Sequence, residues 1–127
     1  MNLEKVTFAF TIVLAASINF GFFLGEIDNP AHHHVYGLYA AIFLNAVAAI
    51  LKFGDRSHIG AVLLACSAVA VLQLAGAASI WGYAVYVAEV GETEVVIASI
   101  VSLSGGAMLA NIFSLVLLMI EVVLLRR

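Results

Sequence analysis

The strongest constraint on this chain is a set of four long apolar stretches, residues 6–25, 35–51, 59–88 and 95–125, joined by short polar segments. About 20 apolar residues cross a bilayer core as a helix, so three stretches suffice and the second nearly does. Water is absent from that core, and a helix satisfies its own backbone there. Composition agrees: 65% of the 127 residues are hydrophobic and 10% charged, against roughly 45–50% and 25% in soluble domains. The expected fold is therefore all-α. It is one polytopic membrane domain over residues 1–127, with four transmembrane helices forming two antiparallel hairpins and the lipid bilayer as principal partner. Residues 6–25 follow Glu4 and Lys5 as a signal peptide would, but they exceed the usual apolar region of about 7–15 residues, which predicts a retained helix.

Orientation follows from the basic residues. Lys5, Lys52, Arg56, Arg126 and Arg127 lie at the two ends or in the second loop, and none lies in the first or third loop. The positive-inside rule then places both termini and the second loop in the cytoplasm, N-in and C-in, in a bacterial inner membrane. Tyr36, Tyr39, Trp81, Tyr83 and Tyr86 fall toward the opposite boundary, where amphipathic rings prefer to sit. Helices 3 and 4 are unusually long for a membrane core about 30 Å thick. A hairpin rising beyond the membrane is the favoured reading, and a break at Gly105-Gly106 the competing one.

Two rows of small residues recur at four-residue spacing: Gly37, Ala41, Asn45 and Ala49 in helix 2, and Ala98, Ser102, Gly106, Ala110 and Ser114 in helix 4. Close backbone approach drives helix association in lipid, so these are read as packing seams, within or between subunits, and a homo-oligomer is expected. The intramembrane amides are the more informative pattern. Counted from the cytoplasmic ends, Asn19, Gln73 and Asn111 each lie about 20 Å deep, which allows one polar layer, with Asn45 nearer the cytoplasm. They read either as interhelical hydrogen bonds or as a constriction whose oxygens replace part of an ion's hydration shell. Ser102 to Gly106 could also unwind toward a cation.

Glu26, Asp28, His32, His33 and His34 are types that ligate zinc, copper or nickel, yet three consecutive histidines point in different directions. A solvated loop is the preferred reading, and pH the more economical stimulus. The proposed outer face carries Glu26, Asp28, Glu89, Glu92 and Glu94 without Lys or Arg, a surface that would concentrate cations. Glu121 is expected at the cytoplasmic interface near Arg126 and Arg127.

Several function classes drop out. The single cysteine, Cys66, forms no intramolecular disulfide or CxxC motif, which excludes quinone-linked four-helix oxidases. His58 is a bilayer away from His32–His34, so no histidine pair can hold haem between helices. Small multidrug exporters have a similar size but need an acidic residue within helix 1. Fluoride channels differ in topology and charge pattern, and the loops are too short for a potassium-channel filter. No cofactor is implied, no nucleophile stands with a base, and no enzymatic role or nucleic-acid partner is expected. The segments His32-His33-His34-Val35-Tyr36, Leu51-Lys52-Phe53-Gly54-Asp55-Arg56, Ile59-Gly60-Ala61-Val62-Leu63-Leu64-Ala65 and Ser102-Leu103-Ser104-Gly105-Gly106-Ala107 resemble a family of small bacterial four-helix membrane proteins of unknown function. That resemblance implies the fold and an inner-membrane location and carries no functional residues.

The expected function is an oligomer that forms or gates a helix-lined pathway for potassium or sodium, with Ser102 and Asn111 of helix 4 facing a symmetry axis. This apolar a bundle leaves no room for an internal channel. The alternative is a non-conducting accessory or scaffolding subunit of a larger transport protein.

Overall fold

The computed structural model describes residues 3–25, 29, 33–55 and 57–125. It contains four helices, α1 (Leu3–Phe23), α2 (Val35–Lys52), α3 (His58–Gly82) and α4 (Glu94–Leu125), with a π-helical turn at Tyr83–Val87 extending α3. There is no strand among the described residues. All four helices are long and apolar enough to cross a membrane. Arg56, Arg126 and Arg127, on which the expected orientation partly rests, lie outside the described residues.

Contacts at both ends set the helix directions. Phe8 of α1 meets Lys52 of α2, and Phe22 lies beside Gly37. Lys5 pairs with Glu121 of α4 at 3.5 Å, while Asn19 bonds Ser104. α1 thus runs opposite to both neighbours. From the Asn19–Ser104 contact, α1 continues four residues and α4 ten, so the N-terminal part of α4 projects about 9 Å past the end of α1. Helix α4 is unbroken through Gly105-Gly106, which removes the proposed break there. A Cβ at Gly105 would lie 2.9 Å from Phe23 Cε1, and one at Gly106 would lie 2.6 Å from Gln73 Oε1. The two glycines admit side chains from α1 and α3, and packing accounts for the pair.

The ends at Lys5 and Lys52 carry most of the described ionic contacts. Lys52 is buried, its ammonium 4.5 Å from the Phe8 ring centre and 3.6 Å from Asp55. Its aliphatic stem lets α2 run to Lys52, one residue past the apolar stretch. Glu121, expected near Arg126 and Arg127, pairs with Lys5 across the bundle.

Ser57 caps α3, its hydroxyl accepting from the Gly60 N–H at 2.9 Å and donating to Asp55 Oδ1 at 2.8 Å. The Ser57 backbone N–H also donates to Asp55, and this bond chiefly holds the Asp55 carboxyl below its ordinary value, helped by the Ser57 hydroxyl and by Lys52. A carboxylate whose pKa falls on folding stabilises the fold above its unfolded pKa and loses that contribution as pH drops through the folded one. Asp55→Asn should therefore flatten the pH dependence of thermal stability below about pH 4 and leave its slope near neutrality unchanged. Thermal melts across pH 2–7 check this.

Candidate functional site

Two kinds of hydroxyl distinguish the outside of the bundle from the inside. Ser17, Ser79, Ser99 and Ser102 are exposed, and each donates to the carbonyl four residues back, at 2.8–3.0 Å. This local bond lets a serine face hydrocarbon without leaving its donor unmet. Inside, Asn19, Asn45, Ser67, Ser104, Asn111 and Ser114 are all fully buried.

Two of these satisfy each other. Asn19 Nδ2 donates to the Ser104 carbonyl at 3.0 Å, and the Ser104 hydroxyl donates to Asn19 Oδ1 at 2.6 Å. In the sequence Ser104 stands out only as part of the glycine segment Ser102 to Gly106. The other four do not close. Asn45 Nδ2 donates to its own helix at Ala41 O, 2.9 Å away, and its Oδ1 has no protein partner. Neither amide atom of Asn111 is bonded, nor are the Ser67 and Ser114 hydroxyls.

These four residues share a level. Measured from the Lys5–Glu121 pair through the Lys52–Phe8 and Gln73–Gly106 contacts, Asn45, Ser67, Asn111 and Ser114 lie about 10–15 Å along the bundle. Asn19 and Ser104 lie about 21–26 Å along it. The single layer that the sequence allows for Asn19, Gln73 and Asn111 therefore separates into two levels, with Asn111 about 6 Å nearer the Lys5 end than Asn19. α4 continues four residues past the Lys5–Glu121 pair to Leu125, so distances counted from helix ends misplace Asn111 relative to Asn19. The apolar core divides at the same place. One cluster contains Phe8, Ile12, Ala48 and Leu63, the other Leu38, Ala41, Ala70, Leu74 and Ala107, and Asn45 and Ser67 lie between them along α2 and α3.

The expected pore lining is corrected too. Ser102 is exposed and Asn111 fully buried, and nine residues of α-helix turn them about 180° apart. They cannot face one axis together. The four-residue rows twist for the same reason, because each step overshoots a full turn by about 40°. In α4 the row passes from half-buried Ala98 and exposed Ser102, through Gly106 and Ala110, to buried Ser114. Gly37 and Ala41 pack inside the protomer, Gly37 against Phe22.

Gln73 lies in a groove of roughly 330 Å³ between α3 and α4, lined also by Ala65, Cys66, Val69, Ala110 and Phe113. Its Oε1 has no protein partner. A Cβ on Gly106 would press on the Gln73 carboxamide, so Gly106→Ala should cost about 1 kcal/mol. In a Gln73→Ala background that cost should fall close to zero, a coupling read by a double-mutant cycle of unfolding free energies.

At the end of the bundle near Trp81, the indole N–H donates to Glu92 at 3.0 Å, and the ring meets Tyr39 and Tyr86 edge-on. Glu89 and Glu94 are exposed. Of the candidate metal ligands, Glu26, Asp28 and His32 lie outside the described residues. His33 is buried, its Nδ1–H donating to the Phe22 carbonyl at the end of α1, while exposed His34 stacks on Tyr36. No metal-binding group of three or more ligands occurs among the described residues.

Neither a curated protein nor a solved structure matches the chain. Residues 32–122, which include α2, α3 and most of α4 with Asn45, Ser67, Gln73, Asn111 and Ser114, match the profile described as Family of unknown function (DUF6394). With well over half its length inside that match, the chain belongs to this family.

Proposed function

We propose that the chain is a multi-pass protein of a bacterial inner membrane, assembled as a homo-oligomer, that handles a small monovalent cation through the interior of each four-helix bundle. One observation carries the reading: Asn111 is fully buried with neither amide atom bonded to protein, at the level of an unpartnered oxygen on Asn45. Neutral oxygens of this kind replace part of the hydration shell of an alkali ion in membrane pathways. Divalent cations favour carboxylates, and the four side chains of the level offer none. Both termini and the second loop face the cytoplasm in this reading, and two antiparallel hairpins cross the bilayer. Glu89, Glu92 and Glu94 then lie outside, where acidic groups raise the local concentration of cations. The pathway runs within the protomer because Asn111 faces inward there, which replaces the axis between copies expected from the apolar composition of the bundle.

The test is flux of potassium or sodium from proteoliposomes carrying the purified protein. Wild type should release the ion, Asn111→Leu should lower the rate at least tenfold, and Ser102→Ala should leave it unchanged. Equal rates for Asn111→Leu and wild type would reject the pathway. The groove between α3 and α4 favours a second reading, a non-conducting accessory subunit of a larger transport protein, since its small residues would admit a partner's helix. Wild-type protein that carries no flux and co-purifies with a transport protein would select that reading.

A further inference from the structure

We infer that Asn45, Ser67, Asn111 and Ser114 form one saturable binding site for a single, partly dehydrated alkali cation, set between the two apolar clusters of the bundle. The inference rests on the cation reading for the class of ligand, and on separate observations for the site. All four side chains are fully buried, and they come from three different helices. Their unbonded atoms are four oxygens and one amide nitrogen. A buried polar atom without a partner is costly, and five at one level are a concentrated cost that a bound ion with its residual water would offset.

The chemistry of each group fits that ligand. The bond from Asn45 Nδ2 to Ala41 O fixes the carboxamide, so the group left for a ligand is the oxygen. Unlike the exposed Ser99 and Ser102, Ser67 and Ser114 make no bond to their own helices, which leaves both hydroxyl oxygens to a ligand. Asn111 presents an oxygen to the ion and an N–H to its water or to Asn45. α1 contributes fully buried Ala15, a small side chain in the stretch between Ile12 and Asn19. With no carboxylate among the four, an alkali cation is favoured over magnesium or calcium. The Asn19–Ser104 pair, each saturated by the other, lies about 10 Å farther along and stays outside the site.

The experiment is thermal unfolding of the purified full chain in detergent, at constant ionic strength, in lithium, sodium, potassium or rubidium chloride titrated against choline chloride. The expected result is a saturable rise in Tm of about 5 °C or more with at least one alkali ion, absent with choline. Asn111→Leu should abolish the rise, and Ser67→Ala with Ser114→Ala should weaken the apparent affinity at least tenfold. If Asn111→Leu does not fold, the double serine variant decides the question alone. A Tm equal in all five salts, or a rise that persists unchanged in these variants, would overturn the site. A saturable rise without any flux supports the site and removes the transport reading. Flux without any rise overturns the site and leaves a pathway elsewhere.

Discussion

Asn19→Ala is expected to lower the unfolding free energy by about 3 kcal/mol, the largest loss among the buried polar side chains. Two effects add. The first is loss of the reciprocal bonds to Ser104, at 3.0 and 2.6 Å; intramembrane hydrogen bonds are worth about 0.6 kcal/mol on average and up to about 1.7. The second is a void in a fully buried position next to α4, which the rigid helix pair cannot close. Ser104→Ala removes one bond and little volume, and should cost only about 1 kcal/mol. Unfolding in mixed detergent micelles, followed by circular dichroism, measures both. A loss below about 0.5 kcal/mol for Asn19→Ala would show that the pair does not hold α1 to α4.

Asn111→Leu should act in the opposite direction. Its amide is as deeply buried as that of Asn19, yet it bonds to no protein group. An apolar side chain of comparable size removes that unmet demand, so the variant should be more stable than wild type by about 1 kcal/mol in choline chloride, where no alkali ion can compensate. The same variant should lose ion-dependent stabilisation and flux. Greater stability with lost function is the expected signature of a side chain kept for its ligand. A destabilisation of 2 kcal/mol or more would instead make Asn111 a structural amide like Asn19. The two amides, alike in residue type and burial, are thus separated by the sign of one measurement.

The helices were legible because their signal is length. A run of 20 to 30 apolar residues leaves the chain few alternatives, and the ends moved by only a few residues. Lys52 joined its helix because its ammonium lies over the Phe8 ring, 4.5 Å from the centre, and beside Asp55. The candidate site was legible only as a set of residue types. Asn45 and Asn111 stood out as amides in apolar runs, but their common level did not, because helices of different length do not begin flush and only contacts such as Lys5–Glu121 supply the offset. Ser67 gave no signal. A serine in an apolar run is equally consistent with a lipid-facing hydroxyl bonded to its own helix, and only burial separates it from Ser79 or Ser99. Pairing Ser102 with Asn111 on one face failed for an angular reason, since nine residues place them on opposite sides of the helix. Gly105-Gly106 looked like a hinge because glycine weakens helices, whereas each glycine accepts a different neighbour's side chain.

The most direct measurement is anomalous scattering from crystals of the full chain grown in rubidium chloride, which shows where an alkali ion sits. The account predicts one ordered peak inside each protomer, surrounded by Asn45, Ser67, Asn111 and Ser114, and no such peak in Asn111→Leu. A bundle in which these four side chains bond only to one another, or rubidium found only at the acidic end or on an axis between copies, would contradict it.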